Sequence, residues 1–172
     1  MLIDKIEARA NPTTHTLVAL VENKPGVLNR VASLMRRRNF NIHSLAVGET
    51  EDPSVSRMTI VIDASKTNAA LVERNLHKLV NVIEVQDVSN MPTVMRELAL
   101  IKVSVDDAAK RGEIKQIADM FQSRVVDVAK DSMMIEVAGE ETKVDSVLSI
   151  LADYGILEVV RTGRIAMARG GK

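Results

Sequence analysis

The chain of 172 residues is long enough for one medium domain or two small ones. Its 23 basic and 23 acidic residues cancel, cysteine and tryptophan are absent, and 46% of residues are apolar; this argues against disorder, excludes disulfides, thiolate metal sites and a cysteine nucleophile, and leaves neither the surplus positive charge nor the aromatic platform that nucleic-acid binding uses. No apolar run reaches the roughly 18–20 residues of a membrane span, and the acid-bearing stretch Met1–Asn11 has no apolar signal core, so the expectation is a soluble cytoplasmic chain with neither membrane nor nucleic acid as partner.

Residues 1–14 are polar, end in Asn11-Pro12-Thr13-Thr14 and read as an N-terminal arm. Residues 16–21, Thr-Leu-Val-Ala-Leu-Val, read as a buried strand. Glu22-Asn23-Lys24-Pro25-Gly26 breaks that pattern, and Val27, Leu28, Val31, Leu34 and Met35 follow at helical spacing. Pro25 suits the first turn of this helix, where a missing N–H costs nothing, and Arg36-Arg37-Arg38 suits its negative dipole end. Residues 41–48 and 56–62 read as a hairpin across the polar turn 49–54, with Met58, Ile60 and Ile62 alternating against Arg57, Thr59 and Val61. Thr67–Val80 reads as a helix and 82–88 as a fourth strand. The order β-α-β-β-α-β predicts a ferredoxin-like domain over 15–90.

Asn90-Met91-Pro92-Thr93 punctuates the middle, and 91–95 read as a linker. The same order then recurs over 96–172: a strand at 98–105, a helix at 113–121, a hairpin of 124–129 with 133–138, a helix at 142–154 closed by Gly155, and extended pieces at 156–160 and 164–168. The predicted class is α+β with two ferredoxin-like domains. Each is small for an independent core, so sheet edges or faces are expected to be covered by oligomerisation.

Little in the sequence points to catalysis. His15, His43 and His77 show no metal-ligand spacing. Dinucleotide, P-loop and nucleophile-elbow motifs are absent. The segment 22–28 is the informative one, because it joins a strand to a helix N-terminus, where free N–H groups and the dipole attract a carboxylate. Gly26 permits close approach of a ligand, Asn23 and Asn41 each carry amide donors and an acceptor, and Val27, Leu28, Ile42 and Val47 offer an aliphatic wall. An ordinary strand–turn–helix with a glycine for geometry accounts for the same residues. The corresponding link in the second half, Asp106 to Gly112, starts with adjacent carboxylates that would repel an anion.

The segment Glu22–Leu28 resembles the effector loop of the amino-acid-binding modules called ACT domains. Asn41-Ile42, Ser44-Leu45, Val47-Gly48, Thr50–Pro53 and Ser56–Val61, then Arg96–Leu98, Val126–Val128 and Arg161-Thr162-Gly163, carry the likeness further. Over about residues 15–170 the chain resembles the small regulatory subunits of acetolactate synthase. It departs at Asn39, where the family usually has glycine, a turn Asn can adopt at φ > 0, and at His43. The resemblance implies a non-catalytic homodimer that activates a large catalytic subunit holding thiamine diphosphate, Mg²⁺ and FAD. It also implies feedback by valine, or leucine or isoleucine, in branched-chain amino acid biosynthesis. Effector-binding residues would be Asn23, Pro25, Gly26, Val27 and Leu28 of one chain with Asn41, Ile42 and neighbours of the other, and Val47 in the aliphatic wall. An ACT-type regulator of another enzyme or of transcription is the alternative, for which no DNA-reading helix or basic stripe is seen.

Overall fold

The computed structural model describes residues 14–63 and 68–170. The arm expected over 1–14, apart from Thr14, and the helix start expected at Thr67 lie outside the described residues. The described residues form two compact units, one of residues 14–95 together with 163–170, the other Arg96–Thr162.

The first unit runs β1 (Thr14–Glu22), α1 (Val27–Arg37), β2 (Ile42–Glu49), β3 (Val55–Asp63), α2 (Ala69–Leu76) and β4 (Val82–Asp87). Its strands form an antiparallel sheet in the order β2-β3-β1-β4. The alternation read from the sequence decides the faces. Leu17, Ala19 and Val21 of β1 and Met58, Ile60 and Ile62 of β3 pack with Val31, Leu34 and Met35 of α1 and Val72 and Leu76 of α2. Fully burying each of the Leu, Ile, Val and Met side chains among them contributes about 1.5–3 kcal/mol. Helix α1 ends where Asn39 turns left-handed at φ 57°. There the Phe40 N–H donates to Met35 O at 2.9 Å and the Asn39 N–H to Arg36 O at 3.1 Å, the paired bonds of a Schellman end. Pro25 lies one residue before the N-cap, Gly26, rather than in the first helical turn.

The second unit repeats the order as β5 (Thr93–Ser104, within this unit from Arg96 onward), α3 (Ala108–Met120), β6 (Arg124–Val128), β7 (Ser132–Gly139), α4 (Glu141–Ala152) and β8 (Ile156–Arg161), with sheet order β6-β7-β5-β8. The architecture is thus α+β with two βαββαβ units. Helix α3 starts five residues earlier than the periodicity suggests, since the Asp107 carboxylate caps it by accepting the Lys110 N–H at 2.7 Å. Its end repeats the Schellman geometry with Gln122 at φ 49°. Gly155, at φ 86°, follows α4 two residues past the cap, Asp153, rather than directly after the helix. The Arg161 guanidinium closes this unit by donating to Glu97 at 2.5 Å and Asp145 at 2.6 Å.

The residues read as a linker already belong to β5 from Thr93 onward. The last strand, β9 (Ile165–Ala168), pairs with β5, but residues 163–170 group with the first unit. The reason is a second, small core on the sheet face away from α1 and α2, where Val18, Val88 and Ala166 are buried against Met95. Arg57 donates to Ala166 O at 2.8 Å and Arg169 N–H to Pro92 O at 2.7 Å.

Candidate functional site

The turn from β1 into α1 is fixed from the side of the β2–β3 hairpin. The Asn23 N–H donates to Ser54 O at 2.7 Å, and the Asn23 side-chain NH₂ donates to Glu49 Oε1 at 3.1 Å and Pro53 O at 2.9 Å. Both amide protons of Asn23 are therefore engaged within the chain, and its Oδ1 has no donor among the described residues. Lys24 donates to Glu22 Oε1 at 3.1 Å. Bonds from Asn81 and then Lys24 hold the Glu22 carboxyl below its ordinary value. The Lys24 charge is thereby directed back to the strand end.

Gly26 is the N-cap of α1 at φ 85°, with no side-chain capping bond and no acidic residue in the first turn. An added Cβ would meet nothing within 4 Å. The left-handed backbone, and not crowding, is what requires glycine. The N–H groups of Gly26, Leu28 and Asn29 have no acceptor among the described residues. A helix N-terminus left this way presents partial positive charge and hydrogen-bond donors to an anion.

The remaining candidate residues divide by position. Val27 is 4% exposed and belongs to the helix–sheet core, whereas Leu28 is 46% exposed and Pro25 is on the surface. Val47 is 46% exposed on β2, whose far edge pairs with no strand among the described residues, and pairs with Met58 on the other side. Asn41 is exposed, its carbonyl accepting the Asp63 N–H at 3.0 Å, and Ile42 is half-buried opposite Ile62. Register places Asn41 and Asp63 level with Thr14, while Glu49 and Ser56 lie level with the Glu22 end of β1. Eight strand residues at about 3.3 Å each separate the two levels by roughly 26 Å. One chain therefore joins Asn23 to Gly26 and Leu28, with Val47 towards the same end, but does not bring Asn41 or Ile42 to that turn. Glu49 was not a candidate from sequence, because only the folded hairpin sets its carboxylate against Asn23.

The second unit closes its equivalent turn internally. Asp107 caps α3, and Lys110 donates to Asp106 at 2.9 Å, holding the Asp106 carboxyl below its ordinary value. Among the described residues no group of three or more His, Cys, Asp or Glu is placed to hold a metal ion, and no helix is long and apolar enough to cross a membrane.

Residues 17–84 match the AHAS small subunit-like ACT domain, and residues 96–170 match the small subunit of acetolactate synthase. The chain belongs to the acetolactate synthase small subunit family. A probable acetolactate synthase small subunit from Archaeoglobus fulgidus is 49% identical over 158 residues, covering 92% of this chain and 98% of that protein. The corresponding protein of Methanothermobacter thermautotrophicus is 44% identical over 161 residues, covering 94% and 96%. Among solved structures, the acetolactate synthase small subunit from Thermotoga maritima superposes with a TM-score of 0.84 at 37% identity, covering 92% of this chain and 99% of that one. The chain is thus a regulatory small subunit with an ACT domain.

Proposed function

We propose that this chain activates a large, thiamine-diphosphate-dependent acetolactate synthase subunit in the cytoplasm and makes it sensitive to feedback by valine, or by leucine or isoleucine. The observation that carries the effector reading is the open N-terminus of α1. Gly26 is left-handed, the first turn has neither cap nor acid, and three amides lack an acceptor among the described residues. An amino-acid carboxylate fits those donors, the Asn23 Oδ1 accepts from the ammonium, and Leu28 and Val47 contact an aliphatic side chain.

The effector site is shared between two chains. Strand β2 is an edge of its sheet. Antiparallel pairing of two β2 edges about a twofold axis sets the Asn41 end of one chain beside the Glu49 end of the other. Asn41 and Ile42 of the partner subunit then complete the pocket that Asn23, Pro25, Gly26 and Leu28 begin, with Val27 behind it in the core. The second unit, with its turn closed by Asp107, helps to hold and activate the catalytic subunit. Thiamine diphosphate, Mg²⁺ and FAD belong to that catalytic subunit, and this chain supplies no reacting group.

The test is an activity assay of the cognate catalytic subunit with and without this chain, across valine, leucine and isoleucine. Activation, with inhibition by at least one of the three and none by glutamate, is the expected result. Unchanged activity on adding the chain would refute the regulatory reading.

A further inference from the structure

We propose that Asn81, in the link from α2 to β4, is a positioning residue for the effector turn. The proposal rests on the effector reading of that turn and adds the residue that sets its shape. Strand β4 carries a bulge: Leu20 pairs with Glu84 but Val21 with Val82, so Ile83 is the extra residue. The bulge draws Asn81 opposite the last residue of β1. The Glu22 N–H donates to Asn81 O at 2.9 Å, the Asn81 side-chain NH₂ donates to Glu22 Oε2 at 2.5 Å, and Arg30 donates to Asn81 Oδ1 at 2.5 Å. Arg30 is in the first part of α1, and its N–H donates to Gly26 O at 3.0 Å. One amide side chain therefore ties the end of β1 to the start of α1, the two flanks of the turn between them. Asn23 holds the same turn from the hairpin side. Together they fix the direction in which the free amides of α1 point.

The second unit supplies an internal comparison. Its β8 has the same bulge, since Lys102 pairs with Glu158 but Val103 with Ile156. The Ser104 N–H donates to Gly155 O at 2.9 Å, the counterpart of the Glu22–Asn81 backbone bond. There the position is glycine, with no side chain to span the turn. Arg111, four residues after the cap Asp107 as Arg30 is four after Gly26, donates instead to Ala129 O and Lys130 O, both at 3.1 Å. Where an internal carboxylate closes the helix end, the tie is absent. Where the helix end is open, Asn81 and Arg30 form it. Gly155 is left-handed at φ 86°, which Asn81 is not, so the two links differ in backbone as well as in side chain, and the side-chain tie accompanies the open helix end.

The experiment measures valine-dependent thermal stabilisation of the full chain for four proteins: wild type, Asn81→Asp, Asn81→Gly, and the double variant Glu22→Gln with Asn81→Asp. Asn81→Asp sets two carboxylates together and removes the donor to Glu22, and Asn81→Gly removes the side chain that spans the turn. Both are expected to raise the Kd for valine about tenfold, the effect of one lost bond to a charged group, while the unliganded melting temperature moves little. The double variant exchanges donor and acceptor, with Gln donating to Asp and Asp still accepting from Arg30, and is expected to restore the wild-type Kd. Wild-type affinity in both single variants would overturn the proposal. So would parallel loss of valine binding and unliganded stability, or failure of the double variant to recover affinity. If wild type itself responds to none of valine, leucine and isoleucine, the effector reading falls and the role of Asn81 falls with it.

Discussion

Gly163 is where the returning chain lies directly on the first sheet, and Gly163→Ala tests that packing. The added Cβ would sit 2.6 Å from Leu45 O, 2.8 Å from Leu45 C and 3.1 Å from Ala46 N. An ordinary carbon–oxygen contact is about 3.3–3.6 Å, so the overlap is roughly 0.7 Å or more. The obstructing atoms are backbone of β2, held in register with Ile60 and Thr59 of β3, and cannot turn aside as a side chain would. The returning segment must move instead, against the Arg57 bond to Ala166 O and the Arg164 bond to Thr16 Oγ1 at 3.3 Å. Overpacking of this kind costs about 1–3 kcal/mol, equivalent to a fall of roughly 2–12 °C in melting temperature for a chain of this size. Urea and thermal unfolding of the variant measure it. The matched control is Gly112→Ala in α3, where an added Cβ meets nothing within 4 Å; there alanine should stabilise by about 0.5–1 kcal/mol. If Gly163→Ala changes stability by less than about 0.5 kcal/mol, residues 163–170 are not packed on the first sheet as described.

Arg161→Ala takes the guanidinium away from Glu97 and Asp145 in a site where the arginine is 11% and Glu97 8% exposed; a loss of about 3–5 kcal/mol in urea unfolding is expected, and a loss under about 1 kcal/mol would show the network to be dispensable. Burial pushes the Asp87 carboxyl up, but bonds from Ser89 and His15 outweigh it and hold the group below its ordinary 3.8. The native state then binds fewer protons than the unfolded chain, so this stability is present above that value and lost as pH falls through the lower folded one. Asp87→Asn should accordingly be less stable than wild type near neutral pH, with the gap closing below about pH 4; an equal gap at about pH 3 would count against the bonding. Asn41→Ala should keep activation of the catalytic subunit while losing valine inhibition, and an inhibition curve that stays in place would remove Asn41 from the site.

Sequence periodicity was enough for the two sandwiches, because each buries a face with its own repeat: Leu17, Ala19 and Val21 at period two, and Val27, Val31, Leu34 and Met35 at helical spacing. Gly26 was legible for a similar reason, as a glycine just ahead of an apolar helix. Misplacements came where a single side chain or a distant contact decides. Asp106-Asp107 reads as polar loop, yet the Asp107 cap starts α3 at once. Residues 163–170 read as the end of the second domain because they follow it in sequence. Their partners, Arg57 for Ala166 and Ser44 for Arg164, lie 109 and 120 residues away, beyond any local pattern. A cut near residue 90 would split the small core of Val18, Val88, Met95 and Ala166. Glu49 and Asn81 were invisible for the same reason, since hairpin register and the bulge at Ile83 bring them to the turn.

The separation of Asn41 from the α1 turn within one chain constrains how any effector can act. On the reading proposed above, neither chain alone holds a whole site, so occupancy and dimerisation are linked. Whatever factor the dimer adds to valine affinity, valine must add to dimer affinity, because coupling of equilibria is reciprocal. The effector therefore acts by favouring one arrangement of two chains, and its influence is limited to its differential affinity for the states it distinguishes. Valine affinity should then fall on dilution below the dimer dissociation constant, and sedimentation should show saturating valine shifting the monomer–dimer balance towards dimer. At 100 times its Kd, a ligand specific for the dimer stabilises it by about 2.7 kcal/mol per site, close to a hundredfold in the association constant. Valine affinity independent of chain concentration across the monomer–dimer transition would mean that one chain holds the complete site, and Asn41 and Ile42 would then have no part in it.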